Sequence, residues 1–291
     1  MTLKTGFVGL GAMGAPMARN LHAAGLLAAV YNRSRSRAEA LAEELGCAAP
    51  ATLEALARDC QIVVLCVSAD RDVLDCVNAL LPGLAPGSIV IDCSTVSAQT
   101  ARDAAATLRT ADCHFLDCPV SGGTEGAAKG TLAIMCGGGE AAFERARPVL
   151  DAMGKTVSLM GPAGSGQATK AVNQIMVAGI NQAVAEALAF ARAEGLPLDK
   201  VIDVVGGGAA GNWFLTHRGP NMVRGKFPLG FKVALHQKDL GIVQRMAEAH
   251  DVQLPVVEMT RLHYERLLQA GHADHDISSL MTVKDAMFDP D

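Results

Sequence analysis

The chain has 291 residues, half of which are hydrophobic, so it is long enough for two domains with a sizeable core. Its formal net charge of −5 argues against a general nucleic-acid binder. The sequence enters a strand pattern within its first residues, and polar side chains interrupt its longest apolar stretch. We therefore expect no signal peptide, no membrane partner and a cytoplasmic location.

The first predicted strand, over residues 4–10, runs into a glycine-rich loop, and a helix is predicted over residues 15–24. In this setting the first glycine allows a tight turn, the second lets the backbone approach a pyrophosphate, and the third lets the helix pack on the strand. The N-terminus of the helix then faces the phosphates. We predict a dinucleotide site formed by Gly9, Leu10, Gly11, Ala12, Met13 and Gly14.

The second strand, over residues 28–31, ends at Asn32, Arg33 and Ser34. NAD sites usually carry an acidic residue here, about 20 residues after the glycines, to bind the ribose 2′-hydroxyl. A guanidinium and a hydroxyl instead suit a 2′-phosphate, and no carboxylate repels it. We predict that these three residues lie at the ribose and that NADP(H) is favoured over NAD(H). Arg35 and Arg37 are interpreted as solvated residues at a helix start.

Continuous apolar runs predict further strands over residues 61–67, 88–92, 114–117, 132–136 and 156–160. With the intervening helices they predict a doubly wound Rossmann-type sheet of the α/β class. The strand ends that carry Val67, Ser68 and Thr95 are expected to line the cofactor crevice. The eight cysteines form no CxxC pair and several lie in these runs, so we expect reduced core thiols and no metal site.

Between two of these strands, the segment 117–124 contains Ser121, Gly122 and Gly123. Such a segment exposes several backbone N–H groups with no side chains in the way, and it can bind a carboxylate or phosphate oxygen. An ordinary glycine turn is an equally good interpretation of the local sequence.

A long helix is predicted over residues 167–194, because Gly179 is the only glycine or proline in this range. Lys170 lies in its first turn, where the macrodipole disfavours a cation, and Asn173 follows on the same face. This setting makes Lys170 a candidate proton donor. A lysine that snorkels to solvent from the helix end is the alternative.

Beyond Gly195 the pattern becomes helical, with helices predicted over residues 197–205, 238–250, 255–270 and 277–287. A glycine-rich break is predicted through Asn212 and Trp213. We therefore predict an NADP-binding domain over residues 1–161, an interdomain helix with Lys170 over residues 162–194, and an all-α domain over residues 195–291.

These motifs together resemble those of the β-hydroxyacid dehydrogenase family over nearly the whole chain. The resemblance is carried by the opening signature at residues 9–21, the Ser-Gly-Gly segment at 117–123, the Gly164-Ser165-Gly166 loop with Lys170 and Asn173, and Lys238-Asp239-Leu240. It implies that Lys170 is the catalytic proton donor or acceptor. It also implies substrate contacts at Ser121, Gly122, Gly123, Asn173 and Trp213, and further cofactor contacts at Phe231 and Lys238.

The resemblance implies an oxidoreductase that transfers a hydride between NAD(P)(H) and a short β-hydroxy acid or its semialdehyde. It also implies a small carboxylate substrate and a homodimer or homotetramer assembled through the helical domains. Gln174 departs from many members, which carry a second asparagine there. Two alternatives stay open: an imine reductase-like NADPH enzyme, against which Lys170 counts, and a non-catalytic NADPH-binding module.

Overall fold

The structure, a computed structural model, describes residues 3–288 and divides after Lys170 into two compact units. The boundary between the two units falls within the long helix. The domain boundaries predicted at residues 161 and 194 remain a prediction. The outer limits of the predicted domains, at residues 1 and 291, lie outside the described part of the chain.

The first unit is built on an eight-stranded sheet. Its strands are β1 (Thr5–Val8), β2 (Leu27–Tyr31), β3 (Ile62–Leu65), β4 (Ile89–Asp92), β5 (His114–Asp117), β6 (Val120–Ser121), β7 (Leu132–Gly138) and β8 (Gly154–Gly161). They lie in the order β2-β1-β3-β4-β5-β7-β6, with β8 paired to β7. The first five strands run parallel, whereas β7 is antiparallel to β5 and β6. Since β2 and β3 flank β1 on opposite sides, the strand order reverses at β1, and open α/β sheets bind ligands at such a point.

Helices cover both faces of this sheet. They are α1 (Gly14–Ala23), α2 (Arg35–Leu45), α3 (Leu53–Asp59), α4 (Asp70–Leu80), α5 (Ala98–Arg109), α6 (Gly123–Lys129) and α7 (Glu140–Asp151). Along β3, Ile62 and Val64 pack in one buried cluster with α1 and α7, whereas Val63 and Leu65 pack in another with α4 and α5. Burial on both faces explains the continuous apolar runs. The predicted doubly wound sheet is confirmed.

Four cysteines lie at the carboxyl ends of neighbouring strands or opposite them. Cys66, Cys93 and Cys118 directly follow β3, β4 and β5, and Cys136 lies in β7. The last three are buried in one cluster, and Cys66 packs against it. Burial raises the pKa of the Cys93 and Cys118 thiols well above the usual range, so both are protonated at neutral pH.

The second unit is helical, and it begins inside α8 (Ser165–Ala193). Its further helices are α9 (Leu198–Gly206), α10 (Trp213–Met222), α11 (Val233–Glu248), α12 (Pro255–Gln269) and α13 (Leu280–Asp285), with a 3-10 turn at Ile277–Ser279. The core of this unit packs small and branched side chains of α8, among them Ala185 and Leu188, against Leu240 of α11 and Tyr264 of α12.

The structure corrects the predicted pattern in three places. Helix α10 occupies part of the predicted break, because Asn212 caps it by accepting from Leu215 N at 2.9 Å. This helix was not predicted because Gly219 and Pro220 lie inside it. The second correction is that α11 begins five residues before the predicted start at Lys238. The third correction is the segment after β5, which forms the short strand β6 and the helix α6.

By length and composition alone, helix α8 could cross a membrane. Long buried helices in the cores of soluble proteins share these two properties. Asn181 in its middle is fully buried, and its Nδ2 donates to Tyr264 Oη at 3.1 Å and to Ile277 O at 2.8 Å. A polar side chain bonded inside the protein in this way is typical of a core helix.

Candidate active site

In the loop between β1 and α1, close packing leaves no room for a side chain at two of the three glycines. A Cβ on Gly9, whose φ is +95°, would lie 2.2 Å from the carbonyl oxygen of Cys66. A Cβ on Gly14 would lie 1.8 Å from the carbonyl oxygen of Gly9, where α1 approaches the strand. A Cβ on Gly11 would meet no atom within 4 Å. The open space at Gly11 is what a loop that receives a pyrophosphate requires.

Asn32 ties the end of β2 to this loop. Its Oδ1 accepts a hydrogen bond from Leu10 N at 3.0 Å, and its Nδ2 donates to Ser34 O at 3.2 Å. The sequence predicted Asn32 as a residue at the ribose, and this contact with the glycine loop was not predicted. The neighbouring Arg33 is 96 % exposed, with Nη1 3.8 Å from Asp72 Oδ1. Within residues 3–288, the guanidinium of Arg33 is therefore held by a weak surface pair.

The strand ends that carry Val67 and Thr95 are joined by Ser94 and Gln167. Ser94 Oγ accepts from Val67 N at 2.9 Å. Gln167 Oε1 accepts from Val96 N at 3.1 Å, and its Nε2 donates to Ser94 O at 2.8 Å. Ser68, next to Val67, is exposed, and Thr95 is half-buried. The side chains of Ser94 and Gln167 were not predicted as site residues.

Lys170 is buried, with 7 % of its surface exposed, so the snorkelling alternative is wrong. Its Nζ donates to Val120 O at 2.8 Å, which places the amine beside the residue preceding Ser121. Gly122 and Gly123 follow with φ values of +134° and +62°. L side chains rarely adopt these conformations, so both positions require glycine. The structure brings Lys170 and the Ser-Gly-Gly segment together within the first unit.

Asp117, at the end of β5, caps the start of α8. Its Oδ1 accepts from Gly164 N at 2.8 Å and its Oδ2 from Gln167 N at 2.9 Å. Burial raises the pKa of the Asp117 carboxyl, and these N–H donors oppose the rise. The cap fixes the helix start five residues before Lys170. The sequence placed Asp117 at a strand end and in the Ser-Gly-Gly segment, but its capping role was not predicted. The available signal was an acidic residue at the end of a buried strand.

In the second unit, Asn173 and Lys238 belong to one chain of polar contacts. Asn173 Nδ2 donates to Gln174 Oε1 at 2.8 Å, and Gln174 Nε2 donates to Asp239 Oδ2 at 2.7 Å. Lys238 Nζ lies 3.1 Å from Asp239 Oδ1. Neither Gln174 nor Asp239 was predicted as a site residue, and the structure places both between two that were.

Phe231 is held by a buried carboxylate that sequence reasoning also missed. Asp276 Oδ2 accepts from Phe231 N at 2.9 Å, and Arg218 Nη1 lies 2.9 Å from Asp276 Oδ1. The same guanidinium stands 6.0 Å over the ring of Trp213. Trp213 is 60 % exposed and stacks on His217 at 4.6 Å between ring centroids. The ring contacts of Trp213 are therefore with Arg218 and His217.

Two family models match the chain. The one described as the NAD binding domain of 6-phosphogluconate dehydrogenase covers residues 4–161. The one described as NAD-binding of NADP-dependent 3-hydroxyisobutyrate dehydrogenase covers residues 164–283. Together they span both units.

Curated relatives and solved structures agree with these models. An NAD-dependent L-serine dehydrogenase of Pseudomonas aeruginosa is 36 % identical over 98 % of this chain and 97 % of its own. A 2-hydroxy-3-oxopropionate reductase of Escherichia coli is 35 % identical over 98 % of each chain. A structure of 3-hydroxyisobutyrate dehydrogenase from Mycobacterium tuberculosis with L-serine has a TM-score of 0.90 at 33 % identity, covering 97 % of this chain and 99 % of that one. An imine reductase from Myxococcus stipitatus, with a TM-score of 0.67 at 20 % identity, shares the fold alone.

Proposed function

The chain belongs to the β-hydroxyacid dehydrogenase family of NAD(P)-dependent oxidoreductases, and from this premise we propose that Lys170 is its general acid–base group. The protein is an oxidoreductase that acts on the CH–OH group of a short hydroxy acid or on the matching semialdehyde. The single observation that carries the role of Lys170 is its burial with Nζ on Val120 O, beside Ser121.

The residues of the first unit fit a nicotinamide dinucleotide, because Gly11 leaves open space in a loop at the reversal of strand order. Residues 9–14, Val67, Ser68 and Thr95 would hold it there, and Phe231 and Lys238 are further proposed contacts. The bound nicotinamide supplies hydride to, or accepts it from, the substrate carbon that carries the reacting oxygen.

Lys170 would handle the proton. In reduction its ammonium donates a proton to the carbonyl oxygen, and in oxidation its amine takes the proton of the hydroxyl. Its positive charge also stabilises the developing alkoxide. An ammonium has three N–H donors, and in the structure Val120 O accepts from the Lys170 amine at 2.8 Å.

The substrate carboxylate would be anchored by Ser121, Gly122 and Gly123, with Asn173 as a further anchor. Two consecutive glycines at positive φ carry no side chains of their own beside their backbone N–H groups. Anchoring the carboxylate fixes the distance between the reacting carbon and the acid–base group.

We propose NADP(H) as the favoured cofactor. The support is chemical: Arg33 is free to meet a 2′-phosphate because its pair with Asp72 is exposed and 3.8 Å long. Ser34 adds a hydroxyl at the same turn. Asn32 brings no negative charge and keeps the loop in place through Leu10 N.

We also propose a homo-oligomer of a cytoplasmic protein, assembled through the second unit. Among residues 3–288, every exposed large apolar side chain except Met160 lies in that unit. One stripe on α8 contains Val172, Met176 and Phe190, and a second on α12 contains Val256, Met259 and Leu262. A Cβ on Gly179 would lie 3.5 Å from Val256 Cγ1, so the two stripes are neighbours. Exposed apolar surface of this extent favours burial by a second copy.

A substrate panel run with both cofactors tests the function. The oxidation arm contains 3-hydroxyisobutyrate, L-serine, glycerate, threonate and 4-hydroxybutyrate, and the reduction arm contains glyoxylate and the semialdehydes of succinate and tartronate. We expect turnover of at least one of these compounds, and a loss of that turnover in Lys170→Met. Cofactor binding without turnover of any of them would instead support the non-catalytic binding module. Reduction of a cyclic imine, with no turnover of any acid, would support the imine reductase alternative.

A further inference from the structure

Gln174 lies between Asn173 and Asp239 and is 2 % exposed. We propose that Gln174 is a positioning residue that sets which atoms of the Asn173 amide are presented to the substrate. The inference rests on the proposed function, in which Asn173 anchors the substrate carboxylate. No role for Gln174 follows from the motifs, because the sequence marks this position only as a departure from asparagine.

The direction of the hydrogen bonds follows from the carboxylate at one end. An ionised carboxylate accepts hydrogen bonds and donates none, so Gln174 turns its Nε2 towards Asp239 Oδ2, at 2.7 Å. The Oε1 of the same amide is then left for Asn173, whose Nδ2 donates to it at 2.8 Å. The opposite orientation of Asn173 would set two oxygen acceptors against each other. The carboxylate therefore fixes the orientation of two successive amides.

The consequence for Asn173 is a defined pair of free groups. Its Nδ2 has one remaining N–H, which suits a carboxylate oxygen of the substrate. Its Oδ1 makes no hydrogen bond within residues 3–288. A freely rotating amide would offer its oxygen to the carboxylate part of the time, and that arrangement is repulsive.

The main chain of Gln174 is also held. His236 Nε2 lies 3.4 Å from Gln174 O, and His236 Nδ1 lies 3.0 Å from Tyr264 Oη. His236 and Tyr264 are fully buried. Both ends of the Gln174 residue are therefore fixed within the second unit, which makes it a rigid support for its neighbour.

The test is a double-mutant cycle of Gln174→Met and Asn173→Ala, assayed with the panel compound that has the highest kcat/KM. Methionine has a similar shape and makes neither hydrogen bond. Losing one neutral hydrogen bond corresponds to roughly a three- to tenfold change in affinity, so we expect Gln174→Met to raise KM by that factor. We expect kcat to stay within about threefold and the dissociation constant of the cofactor to stay unchanged, since the change acts on substrate orientation.

Coupling separates a positioning role from a structural one. If Gln174 acts through Asn173, adding Gln174→Met to Asn173→Ala raises KM by less than about twofold. Equal effects of Gln174→Met in both backgrounds overturn the proposal. The matched control is Gln182→Met on the same helix, whose side chain bonds to His263 and which should leave KM unchanged.

The cycle also separates the anchor role of Asn173 from the positioning role of Gln174. If Asn173→Ala leaves KM unchanged, the proposed anchor role of Asn173 is wrong. If Asn173→Ala raises KM and Gln174→Met does not, the anchor stands and the positioning role fails. Should Gln174→Met not fold, Gln174→Asn takes its place, because its amide is one methylene too short to keep both bonds. We expect it to raise KM in the same background-dependent way.

Discussion

At the scale of single residues, Lys170 shows how the amine of a flexible side chain is held in one position. A lysine loses substantial side-chain entropy when buried, and in this protein Val120 O holds the amine at 2.8 Å. The contact uses a main-chain oxygen, which neither titrates nor changes with the side chain at position 120. The position of the amine therefore depends on the backbone of the segment that also carries Ser121.

We expect Lys170→Met to lower kcat by about 10²–10⁴, the usual scale for the loss of a general acid–base group. Cofactor affinity should be nearly unchanged, because Lys170 is not among the proposed cofactor contacts. Single-turnover hydride transfer and cofactor titration measure the two quantities. The control is Lys129→Met, which removes an exposed pair with Glu125. A rate within a few-fold of the unmodified protein would remove Lys170 from the mechanism.

Arg33 carries the second prediction at this scale. Removing a charged hydrogen bond costs about 1.5–3 kcal/mol, so Arg33→Ala should weaken NADPH binding roughly tenfold or more and barely affect NADH. Arg35→Ala, which breaks an exposed pair with Glu39, is the matched control. Titration of both cofactors against both variants gives the comparison. Unchanged discrimination in Arg33→Ala would place the 2′-phosphate elsewhere.

Asn32→Asp is expected to reverse the preference towards NADH. A carboxylate can still accept from Leu10 N, so the loop contact at 3.0 Å survives. The new charge repels a 2′-phosphate and offers an acceptor to the ribose diol. The ratio of kcat/KM for the two cofactors measures the change. A variant that still prefers NADPH would show that position 32 does not face the ribose.

At the scale of elements, the start of α8 depends on Asp117. Two of the N–H groups that a helix start leaves without partners, those of Gly164 and Gln167, find one carboxylate. In Asp117→Asn one oxygen becomes an NH2 group that faces a donor. We expect the free energy of unfolding in urea to fall by roughly 1–3 kcal/mol. The exposed Asp59→Asn is the control, and equal stabilities of the two variants would contradict the cap.

The packing of α8 against α12 gives a pH-dependent element. Burial lowers the pKa of His263, Lys284 and Arg266 lower it further, and Glu186 opposes them. Because its folded pKa is depressed, His263 contributes stability that is present above its unfolded pKa of about 6.5 and is lost as the pH falls. Between pH 7.5 and 5.5, Tm should therefore fall more in the unmodified protein than in His263→Gln. Parallel falls in the two proteins would show that His263 is not the group.

The sequence predicts elements well where a pattern is local. Except for the short strand β6, the strands of the first unit and the long helix are predicted to within a few residues, because buried strands and glycine stops are visible in short windows. Helix α10 is missed because Gly219 and Pro220 give it the composition of a loop. The Gly219 position packs against Ile202, a tertiary contact that no local window contains.

In the candidate site, too, some residues can be predicted from the sequence and others cannot. Lys170 and the glycines are visible as motifs, whereas their supports lie far away in the chain. Asp117 and Gln167 are 50 residues apart, and Gln174 and Asp239 are 65 apart. Such pairs are set by the packing of whole elements. A single sequence therefore suggests candidates for the reacting groups, whereas the side chains that orient them are seen only in the fold.

At the scale of the whole molecule, the exposed apolar stripes on α8 and α12 carry the assembly prediction. We expect light scattering to give the mass of a dimer or tetramer at micromolar concentration. Met176→Glu and Met259→Glu should each shift the protein towards monomer, because they place a charge in a surface that association would bury. Met160→Glu, at an exposed methionine of the first unit, is the control. A monomer before any substitution would rule the assembly out.

The distribution of the cysteines has a consequence of a different kind. All eight lie between residues 47 and 136, and the sequence has none in the second unit. Thiol reagents attack the thiolate, and a buried protonated thiol such as Cys93 or Cys118 becomes reactive only when its surroundings open. The rate at which these two sulfurs are labelled therefore measures how often the first unit opens locally. It gives no information on opening of the second unit. Labelling of the native cysteines can therefore measure the opening of the sheet separately from that of the helical unit, and it needs no engineered probe.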